Sequence, residues 1–288
     1  MTTRKIAITA ASGTLGRAVA NALAERGLAG EVRLAARSVE KLDDLKASGF
    51  EIVAADYDDP ASLKPAFAGA EVALIISSEG VNEKRSVQHK AAIDAAKAAG
   101  VKRIVYTSTA NPSYDSRFEW SGAHVDTEAA LKVSGVPYTI LRDNSYFANN
   151  DMLFEQAKAT GTLAFPNPDA KVAYVSHEDV AGALAGAITG SGHENRIYEI
   201  SGANAYTARD LGAALAEVTG REINVVDAPL QAFHDQFRSM RLPDYLVTGL
   251  TSFYATLAAG EFAPTSGDVE LLSGKPSTSA RDYLRKFA

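Results

Sequence analysis

Three groups of side chains in this sequence can do chemistry, and each lies at the end of an apolar run. The first group is in Ile6-Ala7-Ile8-Thr9-Ala10-Ala11-Ser12-Gly13-Thr14-Leu15-Gly16. An apolar run enters a turn of small residues, and Arg17-Ala18-Val19-Ala20-Asn21-Ala22-Leu23-Ala24 continues as a helix. Strand, glycine turn and helix together aim free N–H groups and the positive end of a helix dipole at an anion. This arrangement holds a dinucleotide pyrophosphate. Ala10, Ala11, Ser12, Gly13, Thr14 and Leu15 are therefore candidate binding residues, with Ser12 and Thr14 adding hydroxyl donors. Gly13 lets the backbone approach the phosphate, and Gly16 lets the helix pack closely on the strand. The full pattern has a glycine where this chain has Ala10. If that position needs a positive φ, the methyl costs on the order of 1 kcal/mol.

The second group selects the dinucleotide. The next strand ends in Leu34-Ala35-Ala36-Arg37-Ser38-Val39-Glu40-Lys41, without the acid that would bond a ribose 2′-hydroxyl. Arg37 offers a planar fork for a 2′-phosphate, and Lys41 lies one helical turn on, so NADP(H) is preferred over NAD(H). Asp56 and Tyr57 follow the third strand, where a carboxylate can bond the adenine amine or cap the helix at Pro60. Ser77 and Ser78 follow the fourth strand, beside the path expected for the dinucleotide.

The third group lies on the helix after the fifth strand and in the segment after the sixth strand. His124 and Glu128 are spaced i, i+4, so they share a helix face. They read as a polar pair, or as a proton donor, His124, with its neighbour. Asp143, Asn144 and Tyr146 follow the sixth strand; Tyr146, Phe147 and Asn149 are placed to stack on or orient a flat ring. Phe233, Phe237, Met240, Leu242 and Tyr245 form a candidate roof, or simply core. No tyrosine has a lysine four residues on, so the dyad used for alcohol–ketone interconversion is missing. A quinone takes hydride readily and needs no strong general acid, so quinone reduction stays open.

Composition narrows the classes. The chain has 288 residues, 46% of them hydrophobic, enough for one large domain or a main domain with a smaller lobe. A net charge of −6 disfavours nucleic-acid partners. The absence of cysteine excludes disulfides, thiolate catalysis and iron–sulfur centres. The histidines show no metal-ligand spacing, and neither metal nor flavin is expected. Met1-Thr2-Thr3-Arg4-Lys5 is followed by no signal-peptide core, and no run is long enough to cross a membrane, so a cytoplasmic protein is expected.

Strand-like runs at Lys5–Ala10, Val32–Arg37, Glu51–Ala55, Val72–Ser77, Arg103–Ser108 and Tyr138–Arg142 alternate with helical patterns at Leu15–Arg26, Val39–Ala47, Ser62–Phe67, Val87–Ala99 and Val125–Val133. Such alternation predicts right-handed βαβ units and a Rossmann-type doubly wound α/β sheet. Residues 1–150 form the expected nucleotide-binding part, and 151–288 a smaller α/β substrate lobe, some of whose elements return to the first part. In that lobe Val172–Val175 reads as a strand, Asp179–Ile188 as a helix that Asp179 caps unless it buttresses the lobes, and 229–262 as helix interrupted at Pro243 and Gly249.

Taken as a set, Thr9–Gly16, Arg37 with Lys41, Ala55-Asp56-Tyr57, Ile75–Ser78, Gln88-His89, Ala95–Val101, Tyr106-Thr107-Ser108, His124 with Thr127-Glu128, Pro137–Arg142, Tyr146 and Gly192-His193-Glu194 with Tyr198 resemble one family. It is the NmrA-like atypical short-chain dehydrogenases, in the branch of quinone oxidoreductases and triphenylmethane reductases. The resemblance implies an NADP(H) site at Ala10–Leu15 and Arg37, a nicotinamide near Arg142–Tyr146, and a flat quinone or related aromatic acceptor in the cleft. This chain departs from the branch at Ala10, where glycine is usual, and at Asp143, where asparagine is usual. A carboxylate at 143 would stabilise an oxidised, cationic nicotinamide or repel an anionic acceptor. Two other readings stand beside the reductase. One is a non-catalytic NADP(H) sensor of the NmrA-like kind; the other is an oxidoreductase or isomerase of aromatic natural-product metabolism. Assembly state, monomer or homodimer, is left open.

Overall fold

A computed structural model describes residues 5–288; Met1 to Arg4 of the N-terminal reading lie outside the described residues. The strands are β1 (Ile6–Ile8), β2 (Val32–Ala36), β3 (Glu51–Ala54), β4 (Val72–Ile75), β5 (Arg103–Thr109), β6 (Tyr138–Asp143), β7 (Thr162–Phe165), β8 (Arg196–Ile200) and β9 (Asn224–Asp227). The helices are α1 (Thr14–Glu25), α2 (Asp43–Ala47), α3 (Pro60–Phe67), α4 (Asn82–Ala98), α5 (Ser121–Val133), α6 (Asp151–Thr160), α7 (His177–Thr189), α8 (Ala208–Thr219), α9 (Leu230–Ser239), α10 (Asp244–Ala258), α11 (Asp268–Ser273) and α12 (Ala280–Leu284).

Seven strands form one parallel sheet in the order β3-β2-β1-β4-β5-β6-β8. The order reverses between β1 and β4, which makes the switch point where doubly wound sheets bind ligands. The central strands are apolar throughout because both faces are covered. Ile8, Leu34, Leu74, Val105 and Leu141 point to a core shared with α1 and α7. Ala7, Ala73, Ile75, Ile104, Tyr106 and Ile140 point the other way, to a core shared with α3, α4 and α5. A third core lies under the elements after β6, where β7 and β9 pair and Phe154, Leu211, Phe233 and Leu257 pack.

Several expectations are corrected. Val172–Val175 makes only isolated bridges, from Val172 to Tyr206 and from Val175 to Tyr146; the strand of that region is β7. The Val39–Ala47 helix is a single tight turn followed by the short α2. Gly249 does not interrupt a helix, because α10 runs through it. It is glycine for a packing reason: a Cβ there would lie 2.1 Å from Trp120 Cζ2. Asp179 does cap α7, in a capping box with Ser176, and its carboxylate also accepts the backbone N–H and hydroxyl of Thr278 at 3.0 and 2.9 Å.

Candidate functional site

The ends of β1, β2 and β4 open into a cleft of about 580 Å³. Ala10, Ser12, Gly13, Thr14, Leu15, Arg37, Lys41, Asp56, Tyr57, Ser77 and Ser78 all line it. Ala11 does not; its side chain is fully buried beneath the turn. Ala10 adopts φ +50°, so the left-handed geometry expected at this position is present and carries a methyl. Gly16 shows why the turn stays small: a Cβ there would come within 2.7 Å of the Ala10 carbonyl oxygen. α1 starts at Gly13 with no side-chain cap and no acid in its first turn. No side-chain cap or first-turn acid therefore occupies its terminal N–H groups. Arg37 and Lys41 are exposed at the cleft's edge. Asp56 spends Oδ1 on the Asp58 N–H at 3.0 Å, which is the turn role. Tyr57 donates its hydroxyl to the Ile76 carbonyl at 2.6 Å, so it ties the β3 and β4 ends together under the cleft.

Behind Ser77 and Ser78 lies a buried polar chain of which sequence analysis singles out His124 as a candidate site residue. Arg85 Nη2 donates to Ser77 Oγ at 2.7 Å and to His124 Nε2 at 2.9 Å. A guanidinium only donates, so His124 keeps its proton on Nδ1 and donates it to the Tyr106 hydroxyl at 2.9 Å. The Ser78 N–H donates to His89 Nε2 at 2.9 Å, and His89 Nδ1 then donates to Thr127 Oγ1 at 2.8 Å. Burial first, then the Arg85 charge, pushes His89 down to about 3 and holds His124 well below its ordinary value. Both rings are neutral at physiological pH. Its Nε2 accepts from Arg85 and its Nδ1 proton is committed to Tyr106, so His124 offers no free proton to the chamber, which opposes its reading as an acid. Glu128 does not join it. Burial pushes that carboxyl up, but Arg142 at 2.8 and 2.9 Å and Ser108 at 2.8 Å outweigh burial and hold it low.

Beyond the cleft a second cavity of about 430 Å³ opens under the later helices. Leu15, Ile76 and Ser77 line both spaces. The walls are Phe118, Trp120, His124, Met152, Phe237, Met240, Leu242, Leu250, Phe253, Tyr254 and Phe262, and no lysine or arginine is among the lining residues. The strand ends supply Thr107, Ser108, Thr109, Asp143, Asn144 and Ser145, with Tyr146 and Asn149 following. The β5–β6 register sets Asp143 beside Thr109. Tyr146 donates to Asp143 Oδ2 at 2.8 Å and stacks on His177 at 4.4 Å between ring centroids. Phe147 is corrected: it is fully buried, stacked between Tyr174 and Tyr283, and belongs to the core of the later elements. Of the candidate roof, Phe237, Met240 and Leu242 reach the chamber, Phe233 packs on Tyr254, and Tyr245 stays at the surface. Asn144 faces the chamber, but its amide is committed to the Phe262 carbonyl at 3.2 Å and the Ser145 N–H at 2.7 Å.

The model of the NmrA-like family matches residues 2–277. The chain belongs to the NmrA-like family. Quinone oxidoreductase 2 of Escherichia coli is 34% identical over 279 residues, covering 97% of each chain. A crystal structure of the NADPH-dependent quinone oxidoreductase from that organism, complexed with NADPH, superposes with a TM-score of 0.91 at 33% identity, over 98% of this chain and 99% of that one. The triphenylmethane reductase of Citrobacter sp., complexed with NADP(H), gives a TM-score of 0.91 at 28% identity, over 99% and 100%. A (4-alkanoyl-5-oxo-2,5-dihydrofuran-3-yl)methyl phosphate reductase of Streptomyces griseus is 32% identical over 286 residues, covering 98% of each.

Within this NmrA-like chain, sequence reasoning missed Phe118 and Trp120 of the chamber walls, along with Met152, Leu250, Phe253, Tyr254 and Phe262. Phe118 and Trp120 sit in the polar stretch between β5 and α5, which reads as an ordinary loop. The available signal was Trp120, the single tryptophan of the chain, placed in a loop rather than in an apolar element. Glu261 pins that loop by accepting from the Ser116 hydroxyl at 2.7 Å and from Arg117 Nη1 at 3.2 Å.

Proposed function

We propose that this chain is an NADPH-dependent oxidoreductase that reduces a quinone or a related planar aromatic acceptor. The observation that carries the proposal is the shared wall: Leu15, Ile76 and Ser77 join an anion-binding cleft to an aromatic chamber. The residues fit a dinucleotide. The uncapped start of α1 accepts a pyrophosphate, and Arg37 with Lys41 accepts a 2′-phosphate where the strand end carries no competing acid. When bound, the coenzyme supplies a hydride; the protein supplies position and a dry site. Ser77 and Ser78, braced by Arg85 and His89, hold the passage between the two spaces in one shape. The chamber walls offer flat apolar faces and no cation, which favours an uncharged or cationic acceptor over a phosphate-bearing one. His124 serves as a buried brace rather than as an acid.

The test is loss of NADPH absorbance with a panel of benzoquinones, naphthoquinones and triphenylmethane dyes. Saturable turnover with at least one planar acceptor is the expected result. Tight NADPH binding with no turnover across the panel would overturn the reading in favour of a dinucleotide sensor.

A further inference from the structure

We propose that Asp143 is a proton site coupled to the redox state of the coenzyme, protonated beside the reduced nicotinamide and ionised beside the oxidised one, with the released proton going to the acceptor. This rests on the coenzyme reading above and goes beyond it by giving the reaction a proton donor.

Asp143 ends β6 and is only 7% exposed. Its Oδ2 accepts the Tyr146 hydroxyl, while Oδ1 is buried without a hydrogen-bond partner in a residue that lines the chamber. An ionised carboxylate with one neutral donor and no cation is costly in such a place. Its side-chain partner is Tyr146, from its own loop, with His177 of α7 stacked on that ring. The other titratable groups lining the chamber among the described residues are His124 from α5 and Tyr254 from α10. Burial holds both histidines below their ordinary values and both tyrosines above theirs. The adjacent Arg142 is turned away, to Glu128 and Glu199 at 2.8 and 3.0 Å. Burial, opposed only by the Tyr146 hydrogen bond, pushes the Asp143 carboxyl up to about 8. The group therefore carries its proton at neutral pH, and its orphaned oxygen has a donor's use.

A dinucleotide laid across the strand ends from the glycine turn brings its nicotinamide to this floor. The reduced ring is neutral and leaves the carboxyl protonated. The oxidised ring is a cation, which stabilises the carboxylate. The balance closes with these groups. Hydride carries two electrons and one proton to the acceptor, Asp143 gives the second proton to the anionic acceptor oxygen or nitrogen, and water reprotonates Asp143 after the products leave.

The test is calorimetric titration of NADPH and of NADP⁺ into the intact chain between about pH 6 and about pH 8. Taking the ratio of the two dissociation constants cancels the titration of the 2′-phosphate that both carry. If NADP⁺ binding expels one proton, the ratio of the NADP⁺ constant to the NADPH constant falls about tenfold per pH unit and levels off above about pH 8. In Asp143→Asn the ratio should be flat. A flat ratio in the parent protein overturns the inference while leaving the coenzyme reading intact. A slope that survives in Asp143→Asn also overturns it, because the proton then belongs to another group. Failure of both coenzymes to bind overturns the coenzyme reading, and this inference with it.

Discussion

Two single side chains at the cleft carry the sharpest tests of the proposed coenzyme site. Arg37 lies at the cleft edge with Lys41, where the proposed function sets it against a 2′-phosphate. A charge-assisted hydrogen bond contributes about 1.5–3 kcal/mol, so Arg37→Ala should weaken NADPH binding roughly 10- to 100-fold and leave NADH nearly unchanged. Equal losses for both coenzymes, measured by fluorescence titration, would remove Arg37 from the phosphate. Ala10 holds φ +50°, a conformation that glycine adopts without a methyl penalty. Ala10→Gly should raise stability by about 0.5–1 kcal/mol and leave NADPH binding unchanged or tighter. A loss of stability in denaturant titration would show that the methyl contributes packing that exceeds the strain. The place of both residues at the cleft was legible in the sequence, because a glycine turn and a strand end have fixed positions relative to a first βα unit. The Arg85–His124–Tyr106 chain was not. Its members come from α4, α5 and β5, and only their meeting behind Ser77 gives them a common role.

Elements meet closely where α10 crosses the loop before α5. Gly249 leaves room for the Trp120 ring, and Phe118 sits edge-on to Trp120, Phe253 and Phe262 at 5.8, 6.2 and 6.0 Å. Gly249→Ala should push Trp120 into the chamber, raising the KM for a quinone severalfold with the NADPH dissociation constant unchanged. If steady-state kinetics show KM unaltered, Trp120 is not a wall of the acceptor site. The sequence read Gly249 as a helix break because glycine lowers helix propensity; contact with Trp120 overrides that preference. β7 escaped notice for a related reason. Its four residues, Thr162–Phe165, alternate half-buried with buried, and pairing with β9 across a long separation is what makes them a strand.

The chain as one object was read correctly in its sheet, since continuous apolar strands separated by helices with glycine ends admit few topologies. The chamber was legible only in part, because its walls are gathered from β5, β6, the loop before α5, α6, α9 and α10. Stability of the fold should carry the mark of Asp143. Its folded value of about 8 lies above that of an unfolded carboxyl, so this contribution is fully present below about pH 4 and is lost as pH rises towards about 8. Asp143→Asn should therefore melt higher than the parent at about pH 8 and nearly alike at about pH 4. Identical pH dependence in the two proteins would show that the carboxyl titrates normally. The central claim is that coenzyme and acceptor meet where cleft and chamber share Leu15, Ile76 and Ser77, and that hydride passes directly between them. Single-turnover reduction of a naphthoquinone by NADPH deuterated on either face of C4 tests this most directly. Slower oxidation of bound NADPH with the label on one face only is the predicted result; equal rates for both labels and for unlabelled NADPH would contradict it.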